Sequence, residues 1–258
     1  MRVLLSNDDG IHSPGIQVLA KALVEAGHDV TVVAPERERS TTSHSLTLHK
    51  PLRIYHHGEK QFAVSGSPAD CVYMATRFIL KKRPDLVISG INRGANLGQD
   101  HFYSGTVAAA REAALTGIRS LAVSLVHSHS KTNPTLYWET AARFMATLAG
   151  HMDQFQVPPD RILNINVPNL PAEKIKGVRM SRQGKQVYSS EVLEAVDPRG
   201  RKYYWNGGNY SGFEPLPNSD CVEVDEGYIA VVPLRIDTTD YELKENLLGL
   251  EKISWRQD

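Results

Sequence analysis

The sequence predicts an α/β protein: a Rossmann-like, mainly parallel sheet with helices on both faces, followed by a C-terminal antiparallel β-hairpin extension. Three observations lead there. Short apolar runs alternate with stretches of helical period from residue 1 to about 126. The first of these runs, helix and second run form a β-α-β unit, the building block of parallel sheets. Beyond Ile162–Asn166 the texture changes to short alternating runs divided by Gly and Pro.

The elements follow in order. Val3, Leu4 and Leu5 form a buried strand, and Gly10 permits the sharp turn that ends it. Ile16, Leu19, Ala20, Leu23 and Val24 fall on one helical face. Val30–Ala34 is the second strand, and a polar stretch over 35–44 follows, too long and charged for a mere connector. Leu52–Tyr55 and Gln61–Val64 are short extended segments. Ser67 is the N-cap of the next helix, with Pro68 in its first position and Asp70 at its third, and the helix runs to about Lys82. Leu86–Ser89 is a strand ending in a Gly- and Asn-rich loop over 90–98. A helix begins near Ser104–Thr106 and stops at Gly117, the strand Leu121–Leu125 follows, and another helix spans roughly Thr135–Ala149. Residues 178 to about 232 read as hairpins and Tyr241 to about Leu250 as a short helix. This divides the chain into a Rossmann-like catalytic core over 1–170 and a hairpin-rich extension over 171–258, a candidate oligomerisation arm.

Composition narrows the function classes. Of 258 residues, 29 are Lys or Arg and 29 are Asp or Glu, so no basic excess points to a nucleic-acid polymer. No apolar run approaches the ~18 residues a membrane span needs, and the N-terminus enters a strand without a signal-peptide pattern. The two cysteines, Cys71 and Cys221, stand far apart without metal-finger spacing, which makes a reducing cytoplasm the expected compartment.

The most informative residues are Asp8 and Asp9, adjacent carboxylates at the carboxyl end of the first strand, where β-α-β units place ligands. Two like charges forced together repel unless a cation or a shared proton relieves them. The pair therefore reads as half of a divalent-metal site, although a lone Asp-Asp also fits a solvated acidic turn. Two further loops leave strand ends. One holds Ser40, Thr41, Thr42 and Ser43 beside Arg37 and Arg39; the other holds Asn92, Arg93 and Asn96, then Ser104-Gly105-Thr106 at a helix start. Carboxylate, amide and hydroxyl oxygens suit Mg2+ or Mn2+, whereas zinc prefers His and Cys. The helix start is an anion site by its free N–H groups and dipole, or an ordinary cap. Arg39 and Arg93 can clamp phosphate oxygens or simply be solvated, and Asn92 and Asn96 also fit turn positions. Convergence decides for one phosphoryl-binding crevice. His12, His44 and His101 lie in the same loops, but nothing in the sequence fixes them against a partner. His127 and His129 read as surface residues, and Cys71 as packed core. Gly90-Ile91-Asn92-Arg93-Gly94 is neither a Walker loop nor a dinucleotide fingerprint.

These blocks resemble the stationary-phase survival protein SurE family of metal-dependent 5'-nucleotidases. The resemblance rests on Ser6–Gly10, Val33–Ser40, Ser89–Gly94, Tyr103–Val107, Leu163–Pro168, Tyr203–Trp205 and Asp225–Pro233, in order along nearly the whole chain. It implies metal ligands at Asp8, Asp9, Ser40 and Asn92, and phosphate binding at Ser104, Gly105 and Thr106 with Asn96 close by. It also implies one divalent ion per subunit, Mg2+ or Mn2+, a homodimer or homotetramer built through the C-terminal extension, and a cytoplasmic enzyme. The expected reaction is hydrolysis of nucleoside monophosphates, extending to 3'-nucleotides and short polyphosphate. Glu36 and Glu38 lie in the loop before Ser40, where their charge bears on substrate preference. Two rivals are a sugar-nucleotide-dependent glycosyltransferase, which needs a second Rossmann-like domain, and a phospho-receiver module, which needs an acceptor Asp after its third strand.

Overall fold

A computed structural model describes residues 1–127, 135–189, 191–206 and 208–253. The chain lays down β1 (Arg2–Ser6), α1 (Pro14–Glu25), β2 (Asp29–Pro35), β3 (Ile54–Gly58), β4 (Gln61–Val64), α2 (Pro68–Met74) and β5 (Leu86–Arg93). There follow α3 (Gly105–Leu115), β6 (Ser120–Val126), α4 (Trp138–His151) and β7 (Arg161–Pro168). The remainder forms β8 (Val178–Met180), β9 (Gln186–Tyr188), β10 (Val192–Val196), β11 (Lys202–Asn206), β12 (Tyr210–Phe213), α5 (Asp220–Asp225), β13 (Ile229–Arg235) and α6 (Tyr241–Asn246).

Nine strands join one sheet in the order β3-β4-β2-β1-β5-β6-β7-β13-β8. β1 pairs in parallel with β2 on one side and with β5 on the other. The winding direction therefore reverses between β1 and β5, which opens a crevice at their carboxyl ends. Successive residues of β1 face opposite layers. Leu5 packs with Ile16, Leu19 and Leu23 of α1 and Met145 of α4, while Leu4 packs with Cys71 and Val72 of α2 and Ala109 and Ala113 of α3. At ~25 cal/mol per Å2, these two buried layers supply the main drive for folding.

Several elements differ from the sequence expectation. α2 has the expected Ser67–Asp70 capping box but ends at Met74 in a wide turn over Ala75–Ile79, and Leu80 is extended. The helix thus stops short of Lys82. β5 does not end at Ser89; it runs on to Arg93 through a register shift against β6 between Ser89 and Asn92. Gly90 sits there at φ +135°, and a Cβ would lie 2.3 Å from the Val123 carbonyl oxygen. In the C-terminal part, β10–β11 and β12–β9 are small antiparallel sheets, whereas β13 and β8 extend the main sheet. β13 is antiparallel to β7 and β8 is parallel to β13.

Candidate active site

The loop after β1 is shaped by Asn7, a buried residue that the sequence did not single out. Its Oδ1 accepts from the Gly10 N–H (3.2 Å), and its Nδ2 donates to the Gly10 carbonyl (3.0 Å) and to Ser13 Oγ (2.7 Å). Gly10 takes φ +96°, and its α-carbon faces the Arg37 backbone so closely that a Cβ would lie 3.1 Å from it. The first two loops are further tied by Arg39 N–H donating to the Asp8 carbonyl (2.7 Å) and Ile11 N–H donating to that of Pro35 (2.9 Å).

This turn directs Asp8 inward, to 6% exposure. Asp8 Oδ1 accepts the Thr106 hydroxyl proton. Gly105 has no side chain to spare: a Cβ there would lie 2.7 Å from Asp8 Cβ and 3.0 Å from Oδ2. Asp8 thus packs directly on the first turn of α3. Burial pushes its carboxyl up to about 7; the Thr106 hydrogen bond opposes the shift and the Asp9 charge adds to it. Asp9 is also raised by burial, against the Arg93 N–H that donates to its Oδ2 at 3.1 Å, and Glu38 adds repulsion. Among the described residues neither carboxylate forms a salt bridge.

The other expected site residues are placed as follows. Asn92 is the penultimate residue of β5, paired with Ser124 of β6; its Nδ2 donates to the Gly94 carbonyl (3.0 Å), which fixes the amide and leaves Oδ1 as an acceptor. Ser40 is exposed, one residue beyond the Arg39–Asp8 link, and its hydroxyl donates to Glu38 Oε1 (2.5 Å). Ser104 caps α3 by accepting from Val107 N–H (3.0 Å), so the amides of Gly105 and Thr106 open the helix without intrahelical partners. Asn96 is buried behind this layer. Its Nδ2 donates to Ser124 Oγ (2.7 Å), and its carbonyl accepts from Asn164 and Asn166. Asp8, Gly105 and Thr106 are therefore held together by packing and a direct bond, Asn92 is tied to Asp9 through the neighbouring Arg93 N–H, and Ser40 is joined to the loop through Glu38 and Arg39.

The histidines do have partners. His44 Nε2 meets the buried Glu112 carboxylate at 2.9 Å, and His101 Nδ1 meets the Gly98 carbonyl at 2.8 Å, with burial lowering the His101 pKa. His12 stands edge-on to His57, ring centroids 4.9 Å apart. His127 is half-buried, and His129 lies outside the described residues. Arg39 is turned toward the Ser65 carbonyl (3.3 Å) and Glu36 (3.9 Å), whereas the Arg93 side chain is exposed. Cys71 is fully buried, as expected of core.

The donor chemistry fits a hard divalent cation. Among the described residues no group of three His, Cys, Asp or Glu is arranged to hold a metal, so a zinc-type centre is absent there. What remains is an oxygen-only set: two carboxylates raised by burial, the Asn92 amide oxygen and the Ser40 hydroxyl, the kind that Mg2+ and Mn2+ prefer. Charge repulsion within the pair is relieved by such an ion, and the neighbouring helix amides are suited to an anion beside it.

Comparison with known proteins places these residues in context. A family model, Survival protein SurE, matches residues 3–190. A 5'-nucleotidase SurE of Geotalea daltonii is 47% identical over 241 residues, covering 93% of this chain and 95% of its own. One from Anaeromyxobacter sp. is 49% identical over 242 residues, covering 93% and 91%. The crystal structure of the SurE protein from Aquifex aeolicus superposes with a TM-score of 0.85 at 39% identity, covering 97% of this chain and all of that one.

Proposed function

Because the chain belongs to the survival protein SurE family, we propose that it is a 5'-nucleotidase, releasing phosphate from nucleoside 5'-monophosphates at one divalent ion per subunit, Mg2+ or Mn2+. The observation that carries the reading is the buried Asp8 carboxylate, packed against the opening turn of α3 and without a salt bridge among the described residues. Asp8 and Asp9 hold the ion, with neutral oxygens from Asn92 and Ser40. When bound, the ion supplies Lewis acidity toward a phosphoryl oxygen and toward water. The amides of Gly105 and Thr106, with Ser104 and Asn96 behind them, bind and orient the phosphate and stabilise charge on its equatorial oxygens. Thr106 donates to Asp8 and opposes the upward shift of its carboxyl, and Arg93 N–H keeps Asp9 Oδ2 in place. The same phosphoryl site serves 3'-nucleotides and short polyphosphate as secondary substrates.

Residues 1–170 act as the catalytic core. Residues 171–258 act as an extension that joins copies into a homodimer or homotetramer in the cytoplasm; Leu193, Tyr204 and Trp205 are exposed on the β10–β11 ribbon, and a lone two-stranded ribbon is marginal without a partner. No described helix is long and apolar enough to cross a membrane. Among the described residues only the nine-stranded sheet is of Rossmann-like type, the other two sheets being two-stranded, and the lack of a second such unit there disfavours a glycosyltransferase. The test is phosphate release from AMP and GMP with Mn2+ or with EDTA. Release with Mn2+ only supports the assignment; equal release in EDTA, or none in either, overturns it.

A further inference from the structure

A cleft of about 410 Å3 opens beside Asp9, between the loops after β1 and β2 and the start of α4. Its volume falls within the ~300–1,000 Å3 of small-molecule sites. Asp9, Glu36, Arg37, Glu38 and Arg93 line one part, and His12, Leu136 and Trp138 another. We propose that this cleft is the nucleoside subsite, with the Trp138 indole as the stacking face for the base. The assignment rests on the nucleotidase reading above and adds to it the residues that distinguish a nucleotide from other phosphomonoesters.

Three features point this way. First, the cleft shares Asp9 with the acidic pair and Arg93 with the loop that bonds it, so it adjoins the proposed metal site and can take the part of an ester that lies beyond the phosphate. Second, the aromatic wall is rigid. Trp138 opens α4 and is half-buried against α1, where a Cβ at Gly15 would lie 3.0 Å from the indole Cζ3 and 2.1 Å from the Ile91 carbonyl. A fixed aromatic surface loses little entropy when a ring stacks on it. Third, the charges disfavour a second phosphate: three carboxylates, Asp9, Glu36 and Glu38, face two guanidiniums, Arg37 and Arg93. A neutral heteroaromatic group with polar edges and hydroxyls suits such a lining better than a polyphosphate tail, in keeping with polyphosphate as a secondary substrate only. Because every base has a π-face, stacking implies tolerance among bases rather than a strict choice.

The test titrates adenosine, without phosphate or metal, into the EDTA-treated full chain while following tryptophan fluorescence. Adenosine is expected to quench wild type, and Trp138→Phe to abolish most of the quenching while still binding adenosine by competition. Trp138→Leu is expected to weaken adenosine at least about 5-fold. With Mn2+ present, the ratio of kcat/KM for AMP over ribose 5-phosphate is expected to fall by a similar factor in Trp138→Leu, through KM. Quenching that persists in Trp138→Phe, an unchanged ratio in Trp138→Leu, or tripolyphosphate binding the cleft more tightly than adenosine overturns the proposal. Failure of the nucleotidase reading looks different: adenosine still quenches, but AMP releases no phosphate.

Discussion

Replacing Asp8 by Asn is expected to make the metal-free protein more stable, not less. The buried Asp8 carboxyl is pushed up to about 7 from its ordinary 3.8. A raised carboxyl favours the fold fully below pH 3.8, and that advantage is lost as pH rises through 7. Above pH 7 the native state therefore holds a charge that the unfolded chain would rather solvate. A shift of about three units corresponds to roughly 4 kcal/mol as an upper bound. Asn cannot ionise and still offers an oxygen to the Thr106 hydroxyl. At ~2–4 °C per kcal/mol for a chain of this size, and allowing for relaxation of the loop, Asp8→Asn in EDTA at pH 8 should melt about 5 °C above wild type. The gain should shrink toward pH 5. Saturating Mn2+ should reverse the order, because only wild type then gains the ~3 kcal/mol that a ligand at 100 times its Kd confers. Thermal melts of both proteins at pH 5 and pH 8, with EDTA or Mn2+, provide the assay. A variant less stable than wild type in EDTA at pH 8, or a gain that is the same at both pH values, refutes the reasoning.

Gly105→Ala places a methyl 2.7 Å from Asp8 Cβ; a loss of about 1–3 kcal/mol in denaturant melts and a drop in phosphate release of at least ~10-fold are expected. Thr106→Val removes the donor that opposes the upward shift of Asp8, so Mn2+ titrations should show ~10- to 100-fold weaker binding at pH 6 and a smaller deficit at pH 8. Asp85, held by Arg2 at 2.7 Å, has its carboxyl lowered to about 2. Its stabilisation is present above pH 3.8 and is lost as pH falls toward 2, so Asp85→Asn should flatten acid denaturation in that window. Both side chains are more than a third solvent-accessible, so screening limits the effect to about 1 kcal/mol or less.

Much of the frame was legible because it depends on local pattern. The buried strand at Val3–Leu5, the Ser67 cap and the Gly10 turn each follow from a few neighbouring residues. The run 90–94 misled because its glycines and asparagine resemble a loop. In the fold Asn92 and Arg93 pair with Ser124 and Leu125 of β6, which keeps that segment extended through a register shift after the β1 pairing ends at Ser89. The site was legible as a set of oxygen-rich loops, since strand ends of a β-α-β sheet converge whatever their spacing in sequence. Its wiring was not. Thr106 reads as part of an anion-binding cap, yet its hydroxyl goes to Asp8, 98 positions earlier. Glu38 was legible as a charge bearing on substrate preference, but not as the group that the fold sets against the acidic pair and Ser40. Trp138 had no visible connection to that pair at all, because the cleft is assembled from four separate segments.

Titration of Mn2+ into the EDTA-stripped, full-length chain, followed by calorimetry, tests the metal assignment most directly. Wild type is expected to bind one ion per chain, and Asp8→Asn and Asp9→Asn, folded by circular dichroism, to lose that binding or weaken it at least about 100-fold. Binding of the same stoichiometry and affinity in both variants would place the cation elsewhere and remove the acidic pair from the reaction.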